Sequence, residues 1–259
     1  MHTLIFGASR NIGYLTATRL LARGETVSLV VRSAKTFDND AAIQEHIRAG
    51  RAHVVVGDTM NEDDVRRAVS SASFDYILFT VGAQPIMAFP RPVIKPADIC
   101  ERSIKNLLSV LRSSPPGVKS AKLIAITSAG MGTKGFAALP SVWKPVYWWA
   151  IKTMHDDKQN MERAMGGAAG RNDWGEDAIV PASPAKEEPW LNAMIIRPAH
   201  LTDSECQGDK QQEGTTPYRV GEYLQGIYSI SRKDVSHFIA EEAMPNFSRY
   251  QNRAVDICY

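Results

Sequence analysis

Apolar and polar residues follow two alternating patterns along the first two thirds of the chain. Short runs that are almost continuously apolar are typical of strands buried on both faces of a parallel sheet. The runs are TLIF (3–6), TVSLVV (26–31), AHVVV (52–56), YILFTV (76–81) and KLIAIT (122–127), and LNAMIIRP (191–198) resembles them further along. The pattern predicts a parallel β-sheet at the centre of the fold.

Segments with helical periodicity separate these apolar runs. Gly24 and Gly50 stop the first two, and Asn61 is a candidate N-cap of the third. Regular succession of strand and helix predicts an α/β fold, a Rossmann-type doubly wound parallel sheet that binds ligands outside the carboxyl ends of its strands. The candidate helices cover Asn11–Arg23, Ala41–Ala49, Glu62–Ser70 and Asp98–Leu111.

The pattern changes from about Pro140 onward. An aromatic cluster, VWKPVYWWAI (142–151), precedes a helix predicted through KTMHDDKQNMERAM (152–165). Residues 166–189 are rich in Gly, Ala and Pro without periodicity, which indicates a long loop insertion, either a lid or a disordered segment. A last helix is predicted within 231–244. We interpret 1–259 as one domain with a small C-terminal substrate-side lobe formed by parts of 140–259.

Composition narrows the expected partners. The 259 residues are 44% apolar and 22% charged, with a formal net charge of +2 and no basic run. We therefore expect a small-molecule substrate, and neither nucleic acid nor a membrane as partner. The three cysteines are far apart in sequence, which argues against a disulfide framework and a metal site. Without a signal segment or a bilayer-length apolar run, a cytoplasmic location is the expectation. The oligomeric state stays open.

The segment GASRNIG (7–13) joins the first predicted strand to the first helix. Backbone N–H groups at such a turn, and the positive end of the helix, bind the pyrophosphate of a dinucleotide. Asn11 stands where many such turns have a middle glycine, and asparagine tolerates the positive φ that this position requires. A tight turn without a ligand is the alternative. The predicted cofactor-binding residues here are Gly7, Ser9, Arg10, Asn11, Ile12 and Gly13.

Arg32 follows the second predicted strand, where an acidic residue would hydrogen-bond the adenosine ribose of NAD. A guanidinium pairs well with a 2′-phosphate, so the sequence favours NADP (NADPH) over NAD. The alternative is a solvated arginine at the end of a strand, since exposed arginines are common.

Several short segments in this order resemble the short-chain dehydrogenase/reductase superfamily. More closely, the chain resembles its atypical NmrA-like, NAD(P)-binding branch, which includes the flavin/biliverdin reductases. The resemblance covers about residues 3–240 without 166–189. The segments that carry it are GASRNIG, VVR, GD (57–58), TVGA (80–83), ITSAG (126–130) and RPAHLTD (197–203).

This resemblance implies roles for residues after the later strands. Asp58 would lie by the adenine, Thr80 and Gly82 would line the cofactor groove, and Ser128 would face the nicotinamide. It also implies that a turn containing Arg197 and Pro198 closes over the nicotinamide.

The superfamily's Tyr-x-x-x-Lys signature is altered in this chain. Residues four apart on a helix share a face, which lets the lysine lower the tyrosine pKa for proton transfer. Lys158 and Glu162 match the family lysine and the glutamate one turn later, which leaves Met154 in the tyrosine position. Tyr147 is out of register with Lys152, and it lies roughly 16 Å from Lys158 along an unbroken helix.

The candidate catalytic residues are Lys158, Ser128 and His155. Lys158 would bind the nicotinamide ribose, Ser128 a substrate oxygen, and His155, which can titrate near neutrality, would replace the missing proton donor. A structural histidine and a serine that only caps its strand are the alternatives. His200 and the aromatic cluster could approach a substrate, but structural roles explain them as well.

These features predict an NADP-dependent oxidoreductase of a small organic carbonyl or conjugated alkene, with secondary metabolism as one setting. Two alternatives stay open. One is a non-catalytic NADP-sensing regulator, which the missing tyrosine favours. The other is an isomerase, dehydratase or cyclase that uses the same cleft.

Overall fold

A β-sheet forms the centre of the computed structural model, which describes residues 1–89, 92–139, 141, 144, 152–175, 188–210 and 217–259. The strands of the sheet within these ranges are β1 His2–Phe6, β2 Thr26–Val31, β3 Ala52–Val56, β4 Tyr76–Phe79, β5 Lys122–Ile126, β6 Ala193–Pro198, β8 Arg219–Gly221 and β10 Ala254–Cys258. A separate pair joins β7 His200–Thr202 to β9 Ser229–Ser231.

The strand order in this part of the chain is β3-β2-β1-β4-β5-β6-β10-β8. All neighbours are parallel except β8, which runs antiparallel to β10. Phe6 lies opposite both Val30 and Phe79, so β1, β2 and β4 reach the same edge of the sheet. The doubly wound order predicted from the sequence is confirmed, and it brings the carboxyl ends of the strands together.

Helices occupy both faces of this sheet. The described α-helices are α1 Asn11–Ala22, α2 Ala41–Arg48, α3 Glu62–Val69, α4 Ile99–Ser113, α5 Pro116–Lys119, α6 Gly132–Ala138, α7 Lys152–Ala169, α8 Arg232–His237 and α9 Phe247–Tyr250. Short 3₁₀ turns cover Ala34–Phe37 and Gly208–Lys210, and a π-helical segment, Phe238–Ala243, continues α8.

Local capping explains several helix boundaries. Asn61 caps α3, as predicted, because its side-chain oxygen accepts a hydrogen bond from the backbone N–H of Asp63 at 3.0 Å. Asp40 caps α2 in the same way through Ile43, also at 3.0 Å. Gly24 stops α1 in the left-handed region with φ +79°.

Two hydrophobic cores lie on the two faces of the sheet. On one face α1 and the C-terminal helices pack over residues such as Leu20, Leu29 and Phe238. On the other face α3, α4 and α7 cover residues that include Phe79 and Met161. The inner strands β1, β2, β4, β5 and β6 are therefore buried on both sides, which is why they appear in the sequence as continuous apolar runs.

The C-terminal helix α8 begins at a buried carboxylate. Ser231 caps it by accepting a hydrogen bond from the Asp234 N–H at 2.9 Å. The Asp234 carboxylate accepts further hydrogen bonds from the Gly208 N–H at 2.8 Å and from the Tyr259 hydroxyl at 2.6 Å. The helix predicted within 231–244 is confirmed, and its first residue, Arg232, pairs with Asp203 at 2.8 Å.

The predicted loop insertion at 166–189 differs from the structure at its start. Helix α7 continues through Ala169, so the first four residues of that range are helical. Trp174 is buried, and a Cβ on Gly175 would lie 2.3 Å from the backbone oxygen of Gln159, so this segment packs closely against α7. Residues 176–187 of the predicted insertion lie outside the described residues.

No helix in the described ranges combines the length and apolar character that crossing a membrane requires.

Candidate functional site

The turn between β1 and α1 has the backbone geometry of a phosphate-binding loop. Gly7 has φ +84° and Asn11 has φ +55°. Asparagine is one of the few residues that adopts the left-handed region without large strain. The expectation that Asn11 supplies the positive φ of a missing glycine is therefore confirmed.

Two glycines in this turn are required by close packing against Thr80. A Cβ on Gly13 would lie 2.5 Å from both the backbone oxygen of Gly7 and the Thr80 hydroxyl, and a Cβ on Gly7 would lie 2.7 Å from that hydroxyl. The Thr80 hydroxyl donates to the backbone oxygen of Phe6 at 2.9 Å. Thr80 thus packs against both glycines of the turn, and its predicted contact with a cofactor stays a prediction.

The N-terminus of α1 faces solvent. Ser9, Arg10 and Asn11 are exposed, while Ile12 is buried at 5% exposure. The Arg10 side chain does not cap the helix, and the first backbone N–H groups of a helix have no partner within it. These N–H groups and the positive helix end fit the pyrophosphate of a dinucleotide.

Three further predicted cofactor residues lie after neighbouring strands. Arg32 is exposed directly after β2 and has no hydrogen-bond or ion-pair partner among the described residues. Asp58 is exposed after β3, and its carboxylate accepts a hydrogen bond from the Met60 N–H at 2.9 Å. Gly82 is exposed in the loop after β4. All three stand at the edge that carries the phosphate turn.

The predicted catalytic residues meet where β5 ends. The Lys158 ammonium donates to the backbone oxygen of Thr127 at 2.6 Å, and His155 Nε2 lies 3.0 Å from the Ser128 hydroxyl. His155 and Lys158 come from adjacent turns of α7, whereas Thr127 and Ser128 directly follow β5. The tertiary structure therefore brings together the three side chains that the sequence analysis singled out.

Burial sets the charge of these groups. It lowers the pKa of His155 to about 3, and the positive charge of Lys158 adds to this shift. His155 is therefore neutral at physiological pH, which differs from the expectation that it titrates near neutrality. Burial also lowers the pKa of Lys158, although nearby acidic groups oppose that change. We interpret His155 as a neutral partner that orients the Ser128 hydroxyl.

A buried ion pair lies one helical turn beyond Lys158. Arg197 donates to the Glu162 carboxylate through Nε at 2.9 Å and through Nη2 at 2.6 Å. Glu162 also accepts the hydroxyl of Thr127 at 2.6 Å, so it fixes the residue whose backbone oxygen binds Lys158. The pair is almost fully enclosed, with side-chain exposures of 8% and 1%. The Arg197 guanidinium is thus bound to Glu162, and its predicted contact with a cofactor stays a prediction.

The sequence of this chain matches a known family over most of this region. The model of the NAD(P)H-binding family matches residues 7–171, from the phosphate turn to the end of α7. The chain belongs to the NAD(P)H-binding family. Reductase pytE from Aspergillus terreus is 31% identical over 193 residues, which cover 71% of this chain and 67% of that protein.

Solved structures share the fold of this NAD(P)H-binding protein. ChuY, an anaerobillin reductase from Escherichia coli O157:H7, aligns with a TM-score of 0.64 and 17% identity over 100% of this chain and 97% of its own. Gre2 from Candida albicans, in complex with NADPH, aligns with a TM-score of 0.61 and 14% identity over 98% and 77%. The expected NAD(P)-binding family is confirmed by the family model, and the expected fold by these structures.

Sequence reasoning missed the role of Asp157 in this NAD(P)H-binding protein. Its carboxylate accepts the backbone N–H groups of Cys100 and Glu101, both at 2.9 Å, and so caps the start of α4 from a different helix. Burial raises the pKa of Asp157, and these backbone hydrogen bonds oppose the shift. Asp98, directly before α4, makes no side-chain cap, so the carboxylate of Asp157 takes that place. The only signal for Asp157 in the sequence was its position beside Lys158.

The remaining features of the sequence analysis are Pro198, Met154 and the aromatic cluster. Pro198 is the last residue of β6, and its backbone oxygen accepts the Ala129 N–H at 2.9 Å. Its approach to a nicotinamide stays a prediction. Met154, four residues before Lys158, is partly exposed on α7. Tyr147 and the tryptophans of the aromatic cluster lie outside the described residues.

Proposed function

We propose that this protein is an NADP-dependent reductase that acts on a small organic carbonyl or conjugated alkene. One observation carries the proposal: Lys158 and Ser128 lie at the carboxyl end of β5, on the same sheet edge as the open N-terminus of α1. This arrangement fits a cofactor whose pyrophosphate lies at α1 and whose nicotinamide lies near Ser128. The similarity to a protein named as a reductase supports the same activity.

Arg32 supports NADP as the cofactor. Its guanidinium is exposed after β2, where the adenosine ribose lies in doubly wound folds. A 2′-phosphate would give it a charge-assisted hydrogen-bond partner, which NAD lacks. Asp58 would then approach the adenine rather than the ribose.

The chain's own residues would bind and orient the reactants. Bound NADPH supplies a hydride to the substrate. The Lys158 ammonium, held by the Thr127 backbone oxygen, has further N–H donors for the ribose hydroxyls. The Ser128 hydroxyl would hydrogen-bond the substrate oxygen, and neutral His155 would fix the orientation of that hydroxyl.

A regulator that binds NADP without turning it over is the second candidate. The sequence feature in its favour is Met154, which the resemblance to the superfamily assigns to the position of the proton-donating tyrosine. Such a regulator would use the same phosphate turn and Arg32. It would oxidise no NADPH with any substrate.

A turnover assay separates the two candidates. Purified protein is incubated with NADPH and a panel of aldehydes, ketones, quinones and enones while the absorbance of the reduced nicotinamide is followed. We expect at least one compound to oxidise NADPH in a saturable manner. Saturable NADPH binding without oxidation by any compound would contradict the reductase and favour the regulator.

Arg32→Ala tests the choice of cofactor. Loss of the charge-assisted hydrogen bonds to a 2′-phosphate should weaken NADPH binding about 10- to 100-fold and leave NADH binding within about twofold. Fluorescence titration of both cofactors measures the two dissociation constants. Arg48→Ala is the matched control, because Arg48 is an exposed arginine at the end of α2, on the opposite edge of the sheet. Equal losses for NADPH and NADH would contradict the assignment.

A further inference from the structure

A cleft lies next to the helical turn of α7 that carries Lys158. Its walls include Met131, Gly132, Gln159, Glu162, Arg197 and Tyr223. Met131 follows Ser128 by three residues on the loop after β5, and Gln159 directly follows Lys158 on α7. The cleft is therefore built from the same loop and the same helix as the candidate catalytic residues.

Tyr223 enters this cleft from the loop after β8 with an unusual backbone conformation. Its φ is +52°, in the left-handed region that bulky side chains rarely adopt. The next residue, Leu224, donates its backbone N–H to the buried carboxylate of Asp256 at 2.9 Å, which holds the loop in place. Residues kept in such conformations by their surroundings are concentrated at functional sites.

Two cations flank the ring of Tyr223. The Arg197 guanidinium carbon and the Lys134 ammonium each lie 5.5 Å from the ring centroid. Burial opposes the charge of Arg197, but Glu162 and the Tyr223 hydroxyl raise its pKa above the usual range. Arg197 also hydrogen-bonds the Tyr223 hydroxyl, so its positive charge lies beside the phenol oxygen, where such a charge stabilises negative charge that develops during proton transfer.

We propose that Tyr223 is the proton donor of the reduction, in place of the tyrosine that Met154 replaces on α7. The inference rests on the proposed reductase function. The other candidate donor, His155, is neutral and already bonded to Ser128. Tyr223 offers a phenol that reaches the cleft from a different element of the fold.

The proton transfer balances without a further reactant. The reduced nicotinamide supplies the hydride, and with it two electrons, to the carbonyl carbon. The O–H bond of Tyr223 breaks as a new O–H bond forms on the substrate oxygen, which yields an alcohol. The phenolate, which lies beside the Arg197 guanidinium, regains a proton from water before the next turnover.

Tyr223→Phe tests the proposal because it removes the hydroxyl and keeps the ring between the two cations. With the best substrate of the carbonyl panel and saturating NADPH, we expect kcat to fall about 100-fold or more. The dissociation constant of NADPH and the Tm should stay near their wild-type values. Without cofactor, calorimetric titration with the same carbonyl compound should give binding about 2- to 10-fold weaker than the wild type.

Tyr228→Phe is the control, because Tyr228 is an exposed tyrosine five residues further along the chain. It should keep the wild-type kcat. A Tyr223→Phe variant with kcat within threefold of the wild type would overturn the proton-donor role while leaving the reductase function intact. A fall in kcat accompanied by an equal fall for Tyr228→Phe, or by a large loss of Tm, would also overturn it. If the wild type itself oxidises neither NADPH nor NADH, the proposed function fails and the proton-donor role fails with it.

Discussion

The phosphate turn and the polar cluster on α7 lie on the same edge of the sheet but are built in different ways. At the turn, neighbouring residues in the sequence present backbone N–H groups to solvent, and exposed side chains surround them. Around α7, side chains from distant parts of the chain bind one another in the interior. Thr127 and Glu162, for example, are 35 residues apart.

The turn and the buried cluster therefore depend on different properties of their residues. The turn depends on backbone conformation and on small residues, so each position has a role of its own. The buried cluster depends on mutual satisfaction, because a polar group without its partner is costly in a low-dielectric interior. Substitutions in the cluster should therefore affect stability most, whereas substitutions in the turn should affect cofactor binding most.

The largest expected effect is in the cluster. Glu162→Gln leaves the Arg197 charge buried without its counter-ion, so we expect the free energy of unfolding to fall by about 3–5 kcal/mol. Urea denaturation measures the change. Glu62→Gln removes the carboxylate of an exposed pair with Arg66 and should cost less than about 0.5 kcal/mol. Similar small losses for both variants would contradict the importance of burial.

An intermediate effect should appear as a pH dependence of stability. The folded pKa of His155, about 3, lies below the unfolded value of 6.5, so the unfolded state binds the proton first as the pH falls. Stability from this group is complete above pH 6.5 and declines on acidification. Between pH 7 and pH 4 the wild type should lose about 3 kcal/mol more than His155→Gln, measured by urea denaturation at each pH.

A matched control for this pH experiment is His200→Gln, which removes an exposed imidazole on β7. It should retain the pH dependence of the wild type. If His155→Gln and the wild type lose stability in parallel on acidification, His155 is not held in its neutral form.

The smallest expected effect on stability is at the turn. Asn11→Ala places a Cβ without a compensating polar side chain in the left-handed region, so we expect a loss of about 1 kcal/mol, whereas Asn11→Gly should be nearly neutral. The alanine variant should also weaken NADPH binding measurably, which fluorescence titration can detect. Asn252→Ala, at φ +55° and far from the turn, should leave NADPH binding unchanged. Unchanged NADPH binding in Asn11→Ala would show that this backbone conformation is not needed.

Much of the fold could be predicted from local patterns. The first six strands and helices α1 to α4 and α7 follow from apolar runs, helical periodicity and capping residues, and the observed bounds differ by a few residues, whereas the short helices α5 and α6 were not predicted. Strand β10 was missed because Asp256 interrupts its apolar run. That carboxylate is buried, and burial raises its pKa to about 6 although the charge of Arg197 opposes the shift.

In the candidate site, too, local patterns predicted some features and missed others. The positive φ of Asn11 was predicted from its residue type alone. Ser128 and His155 were both candidates and lie 3.0 Å apart, and their catalytic roles stay predictions. The neutral state of His155 could not be read from the sequence, because it depends on burial. Asp157 at the start of α4 and Tyr223 in the cleft were also missed, since each acts on an element far away in the sequence.

The sequence by itself determined the alternation of strands and helices, the phosphate turn and the exposed arginine after β2. Each of these depends on residues within a few positions of one another, where backbone preference and periodicity act directly. Only the tertiary structure decided which polar side chains meet at the ends of β5 and β6, and which phenol reaches the cleft beside them. Those contacts join residues from separate strands, helices and loops, and their protonation depends on how deeply the packed chain buries them.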